Sequence, residues 1–236
     1  MDDREPLETY DSIGFERPSL AVDVALMTVA DGVLRVLLVQ RDEPPHAGCW
    51  ALPGVFLKMD ETLEQAAMRA LSTKAHIEDV FLEQLYTFGD PARDPRTRVI
   101  SVAYYALVDD GRLRGQDLLR VRVPWEGEEG GPVEAVAPDG RPVSLAFDHA
   151  GILGMAVKRL RGKLDYSPIG FQLLPALFTL RQLQDIHETI LGRPLNKDSF
   201  RRRMLASGQL EPTGHREDDV EHRPAELYRF SSHSAV

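Results

Sequence analysis

Three groups of side chains in this 236-residue sequence have the types and spacing to do chemistry on phosphates. Arg93, Arg96 and Arg98 crowd a polar, proline-containing loop between two strand-like stretches, and guanidinium forks match the oxygens of a diphosphate. Phe88 and Tyr104, on either side of that loop, are placed to stack on a base. Glu61 and Arg69 form a second group, with Lys74 one turn further along the same apolar-periodic stretch. The third group is Lys197, Arg201, Arg202 and Arg203. Three consecutive helical positions sweep about 200° of arc, so one or two of these arginines meet a partner's phosphates while the others do not. Asn196, Lys197, Asp198 and Ser199 open that stretch, where a helix reaches base edges in a DNA groove. Further on, His215, Arg216, His222 and Arg223 suit phosphate contact, although Glu217, Asp218, Asp219 and Glu221 beside them would repel it.

The surrounding pattern tells which elements must carry these groups. Leu20, Val22, Val24, Leu26 and Thr28 alternate at period two, and Val33 to Val39 follow an Asp-Gly turn, which predicts a β-hairpin. After Pro44 and Pro45, apolar residues at Leu63, Ala66, Ala67, Ala70 and Leu71 repeat with helical spacing, so a helix is expected over about 63–75. Strands are expected at 81–88 and 99–108 and a small hairpin around Pro138-Asp139-Gly140, inside a stretch, 124–142, rich in proline, glycine and glutamate. Asp148 or His149 caps a linking helix of about 148–162. Thr179 opens another helix that ends at Gly192-Arg193-Pro194, and the basic helix follows at once. Two helices joined by a short Gly- and Pro-containing turn, then strands near 210–212 and 225–230, read as a winged helix-turn-helix. There is no internal repeat.

Composition sets the class. With 43% apolar and 28% charged residues the chain is globular, neither disordered nor collagen-like. The longest apolar run, Val99 to Val108, is broken by Ser101 and falls short of the roughly 20 residues needed to span a bilayer. The acidic first residues carry no secretory pattern, and the lone Cys49 leaves no internal disulfide, so a reducing cytoplasm is the expected location. Net charge is −9, yet residues 151–210 hold 10 basic against 4 acidic side chains. A tail that is basic behind an acidic front suggests two domains with different partners, the second of them nucleic acid.

The run from Pro53 to Ile77 resembles the Nudix box of hydrolases that cleave nucleoside diphosphates linked to another moiety. That pattern is Gly, five residues, Glu, seven residues, then Arg-Glu-apolar-any-Glu-Glu-any-Gly. Glu61, Arg69, Leu71 and Ile77 match it. Val55 stands at the first Gly, Ala70 at the first helix Glu, Thr73 and Lys74 at the Glu pair, and His76 at the second Gly. Magnesium prefers oxygen ligands, and acids one helical turn apart would point at one ion on the diphosphate. Ala70 and Thr73 supply no carboxylate and Lys74 puts a positive charge where the cation would sit, so catalysis is not expected, and neither metal nor cofactor. Glu61 and Arg69 remain as a salt bridge bracing the loop.

Further matches, Thr87 to Tyr104, Ala146-Phe147-Asp148-His149, Arg161 to Leu164, Leu191 to Lys197 with Phe200-Arg201-Arg202, and His222 to Tyr228, resemble the Nudix-related transcriptional regulators over roughly residues 18–230. The resemblance implies a mixed α/β Nudix-like sheet with flanking helices, fused to a small winged helix. Divided accordingly, residues 1–17 are an extension, 18–163 a ligand sensor and 164–236 the DNA-binding domain. It further implies a repressing regulator of NAD or related nucleotide or sugar metabolism, acting as a homodimer on a palindromic double-stranded operator. The effector is a nucleotide or sugar phosphate, ADP-ribose first among them, held by Arg41, Lys74, Phe88, Arg96, Arg98 and Tyr104, while Asn196, Lys197, Ser199, Arg201, Arg202, Arg203, His222 and Arg223 contact DNA. Two alternatives stay open: a Nudix hydrolase with relocated metal ligands, and a module that only scaffolds a partner.

Overall fold

A computed structural model describes residues 16–218 and 223–231. Its centre is a mixed sheet built on β1 (Ser19–Ala30). The Asp31-Gly32 turn, both residues at positive φ, returns the chain into β2 (Val33–Leu37), which pairs antiparallel with the end of β1. Two short strands, β3 (Val39–Gln40) and β4 (Trp50–Ala51), pair with each other, and β5 (Gly54–Phe56) then joins the beginning of β1. Helix α1 (Leu63–Ala75) follows, then β6 (Phe81–Phe88) and β7 (Val99–Leu107). Strand β7 runs parallel to β1 with Val22 opposite Val102, and β6 closes that edge. On the other side β2 pairs with β8 (Leu118–Arg122), and β9 (Glu134–Val136) and β10 (Pro142–Val143) extend the sheet, flanking the expected Pro138-Asp139-Gly140 turn.

Helices cover both faces. Ala66, Ala67, Ala70 and Leu71 of α1 pack on Val22, Val24, Leu26 and Tyr104. The linking helix α2 (His149–Lys163) covers the opposite face, with Ile152, Leu153, Ala156 and Leu160 against Ala25, Met27, Ala103 and Tyr105. Period-two alternation in β1 suggests one buried face, but a central strand between two helical layers buries both, and Val22 to Ala30 are all buried.

The apolar layer under α2 runs on without a break into the C-terminal part. Helix α3 (Leu180–Leu191) starts at a reciprocal capping box of Thr179 and Gln182, an arrangement worth about 1 kcal/mol, and stops at Gly192 in the left-handed conformation that glycine adopts freely. Helix α4 (Lys197–Ala206) is capped by Asn196 and anchored by Phe200 and Met204. Strands β11 (Leu210–Arg216) and β12 (Glu226–Phe230) make the wing, longer in its first strand than expected, and Phe178 bridges to Tyr228 through two backbone hydrogen bonds of 3.0 and 2.8 Å.

Candidate functional site

Where β1 meets the start of α2, β3, the loop after β6 and the last turn of α1, the sheet opens into a cleft of about 360 Å³. Arg41, Lys74, Arg93 and Arg96 supply its positive side chains, and Phe147 and Phe56 its aromatic surface. Its floor is a buried polar cluster. Arg93 reaches both carboxylate oxygens of Asp148, at 2.9 and 2.7 Å, and Asp23 at 3.4 Å. Asp23 also accepts the Ser101 hydroxyl at 2.5 Å. Burial alone would lower the Arg93 guanidinium, but the Asp148 hydrogen bonds and the two carboxylate charges hold it above its ordinary value.

His149 completes the cluster. Its Nδ1 accepts the Leu52 N–H at 3.0 Å, which leaves Nε2 with the proton, 3.7 Å from Asp23. Desolvation lowers its pKa more than Asp23 and Asp148 raise it, so the ring is neutral. Asp148 occupies the N-cap of α2 without capping it through its side chain, because its carboxylate is turned to Arg93.

Phe147 sits at positive φ, 53°, a conformation that costs an ordinary L-residue energy and holds its ring at the cleft mouth. The Arg41 guanidinium lies 5.0 Å and that of Arg96 5.8 Å from the ring centre. Arg41 is steadied by the Pro45 and Glu43 carbonyls and Arg96 by a two-point contact with Asp94 at 3.0 and 2.8 Å. Arg41 and Arg96 thus hold two guanidiniums in place over one ring at the cleft mouth.

Of the six side chains expected to hold a ligand, Arg41, Lys74 and Arg96 line this cleft. Arg98 does not: it ties the loop together by bonding the carbonyls of Gly89, Asp90 and Val99. Phe88 packs edge-on against Tyr86 and the core under α2. Tyr104 is 2% exposed beneath α1 and donates its hydroxyl to Glu64 at 3.1 Å, so its ring offers no face for stacking. Asp23, Asp94, Phe147 and His149, which line the cleft, and Asp148, which pairs with Arg93, are not among the residues the sequence singles out for a ligand. Asp23 lies inside an apolar strand and its partners are 70 to 78 residues away, so only the fold brings them together. The aromatic within Ala146-Phe147-Asp148-His149 was the one available signal.

The box helix is arranged for structure. Glu61 accepts from Arg69 Nε at 2.9 Å and from the Lys58 N–H at 2.7 Å, while Arg69 also donates to the Phe56 carbonyl. Hydrogen bonding to Arg69 brings the Glu61 carboxyl down to about 2. Ala70 is fully buried, the Thr73 hydroxyl bonds back to the Arg69 carbonyl, and Lys74 is exposed toward the cleft. Among the described residues no three His, Cys, Asp or Glu side chains gather to hold a metal. The donors present therefore do not fit the magnesium ion of a complete box. His76 ends α1 in the left-handed conformation at φ 52°, which explains physically why the pattern asks for glycine there.

At the C-terminal end, α4 presents Asn196, Lys197, Ser199, Arg201, Arg202 and Arg203, all exposed. Asn196 spends its side-chain oxygen capping Ser199 N–H at 3.0 Å, and Arg203 is tied to Asp165 at 2.8 Å. Arg223 is exposed beside the wing, and His222 lies outside the described residues.

The two halves are joined by Arg161 near the end of α2. Its buried guanidinium donates to the carbonyls of Ile190 in α3 and of Trp125 and Gly127 in the segment before β9, and stacks over Trp125 at 4.8 Å. That segment hugs α2 closely: a Cβ on Gly154 would stand 1.9 Å from the Gly131 carbonyl oxygen.

Comparison with known proteins finds two domain families in the chain. A family model for the NUDIX domain matches residues 18–138, and one for the NrtR DNA-binding winged helix domain matches residues 170–230. The chain is 38% identical over 227 residues to the ADPR responsive transcriptional repressor NtrR of Acinetobacter baylyi, covering 95% of this chain and 87% of that protein. The crystal structure of Shewanella oneidensis NrtR complexed with a 27mer DNA is similar with a TM-score of 0.74 and 35% identity, over 90% of this chain and 93% of that one. The NUDIX domain of the same Shewanella protein, cocrystallised with ADP ribose, is similar with a TM-score of 0.51 and 32% identity, over 68% of this chain and 99% of that one.

Proposed function

Because this chain belongs to the NrtR family, in which a NUDIX domain precedes a DNA-binding winged helix, we propose that it is an ADP-ribose-responsive transcriptional repressor. Residues 18–163 form its sensor and 164–236 its operator-binding domain, and it acts as a cytoplasmic homodimer on palindromic DNA. The observation that carries this reading is the pairing of two features: a cleft lined by Arg41, Arg96 and Lys74 with no acid cluster on α1, and an exposed basic helix in a helix-turn-helix.

In this reading the sensor binds its nucleotide and does not cleave it. Arg41 and Arg96 take the diphosphate, and Lys74 supplies the positive charge that a metal supplies in a complete box. Buried Arg93, neutralised by Asp148 and Asp23, shapes the floor and carries no free charge to the ligand. On the other half, Lys197, Arg201 and Arg202 contact DNA, with Arg223 on the wing.

Helix α2 is the mechanical link. Its N-terminal end borders the cleft through His149 and the preceding Phe147, and its last turn grips α3 through Arg161. A ligand that shifts the first turn thereby shifts the helix-turn-helix, and its effect on DNA equals its differential affinity for the two arrangements. Duplexes recovered by selection from a random pool provide the operator. On these, ADP-ribose is expected to change the dissociation constant about 5- to 150-fold, with no AMP or ribose phosphate released in the presence of magnesium. Steady turnover of ADP-ribose that disappears in Glu61→Gln would establish the hydrolase instead.

A further inference from the structure

The exposed surface of α4 divides into three stripes with different chemistry. Phe200 and Met204 fix the buried side. Asp198, Arg202 and Leu205 follow one another at i, i+4 and i+7, so they share one stripe, with Asp198 and Arg202 each about 200° around from Phe200. Lys197 and Arg201, again four apart, flank it on one side. Arg203 flanks it on the other, where Asp165 holds its guanidinium back against the body of the protein.

The outward stripe is unusual for a phosphate-binding face, since it carries an acid. Asp198 and Arg202 are exposed and make no ion pair or side-chain hydrogen bond among the described residues, although helical spacing would allow one between them. A carboxylate presented to DNA is repelled by phosphate oxygens, and the partner in a duplex that satisfies it is the N4 amino group of cytosine. The matching partner of an unpaired guanidinium is the O6 and N7 edge of guanine. Leu205, 46% exposed on the same stripe, is an apolar surface for a thymine methyl. Asp198 and Arg202 are separated by about 6 Å of helix rise, which spans fewer than two base-pair steps of about 3.4 Å.

Resting on the operator-binding function proposed above, we infer that Asp198 and Arg202 are the specificity-determining pair of this protein. Asp198 reads a cytosine and Arg202 a guanine within two steps of it in each half-site. Lys197 and Arg201 hold the flanking phosphates, and Asn196, its oxygen committed to the cap, positions the helix.

Selection from a randomised duplex pool, with the full-length protein and with Asp198→Asn and Arg202→Gln, tests this. Asparagine and glutamine both favour adenine. The wild-type half-site is expected to contain the cytosine and the guanine, with each variant switching its own position to adenine and losing about 5- to 150-fold discrimination there. Thermal melting checks that both variants fold. If the wild type selects a motif but the variants keep every positional preference, losing affinity evenly or not at all, this assignment is overturned while the regulator stands. A wild type that selects no sequence overturns both.

Discussion

Glu61 and Arg69 hold their spacing in a box that lacks the carboxylates of its helix, and their geometry gives them a structural role. Arg69 joins the Glu61 carboxylate to the Phe56 carbonyl, so one ion pair pins the loop before α1 to the strand that borders the cleft. A carboxyl depressed to about 2 in the folded protein, against 4.5 ordinarily, means that the ionised form of Glu61 stabilises the fold. That contribution is complete above pH 4.5 and is lost as the pH falls toward 2. Glu61→Gln is therefore expected to lower the melting temperature at pH 7, with the gap from wild type narrowing steadily below about pH 4.5. A gap that is constant with pH would mean that the charge of Glu61 does not brace the loop. The same variant should bind ADP-ribose as the wild type does, because neither partner of the pair lines the cleft.

At the scale of elements, the end of α1 offers a separate prediction. His76 adopts a left-handed conformation that suits glycine, and nothing about that conformation needs an imidazole. His76→Gly relieves a steric cost of about 1–2 kcal/mol and gives back part of it as chain entropy, so a net gain of about 0.5–1 kcal/mol is expected, or roughly 1–4 °C in melting temperature. Gly154→Ala should act in the opposite direction, since its new methyl meets a backbone carbonyl, and should lower the melting temperature by several degrees. Calorimetry on the two variants reads both. These elements differ in how plainly the sequence announces them. Helix α1 was legible because Leu63, Ala66, Ala67, Ala70 and Leu71 repeat with helical spacing, and the structure adds a Thr62–Gln65 capping box at its start. Strand β8 was not, because Leu118 to Arg122 is five residues long among turn-forming neighbours and gains its identity by pairing with β2. The cleft was legible only in part. Arginine in a loop suggests an anion, but the choice among Arg93, Arg96 and Arg98 is made by Asp148, Asp94 and the loop carbonyls. Tyr104 is buried because α1 covers the strand face that carries it, a packing that the sequence of the loop does not show.

Across the whole molecule, sensor and winged helix share one apolar layer, and Arg161 is the polar joint within it. A guanidinium bound to three carbonyls in two segments holds their relative position more tightly than an ammonium, which lacks the planar fork. Arg161→Lys is thus expected to leave ADP-ribose binding to the cleft within about twofold while reducing the factor by which ADP-ribose changes DNA affinity toward one; an undiminished factor would place the coupling elsewhere. One ligand in the NUDIX cleft and one operator on α4 sense each other in the proposed function, and linkage makes their effects equal. Titration calorimetry of ADP-ribose into the wild-type protein, alone and with saturating selected operator, tests it directly. Operator is expected to change ADP-ribose affinity by the same factor, about 5- to 150-fold, by which ADP-ribose changes operator affinity. ADP-ribose binding that is indifferent to bound DNA would contradict it.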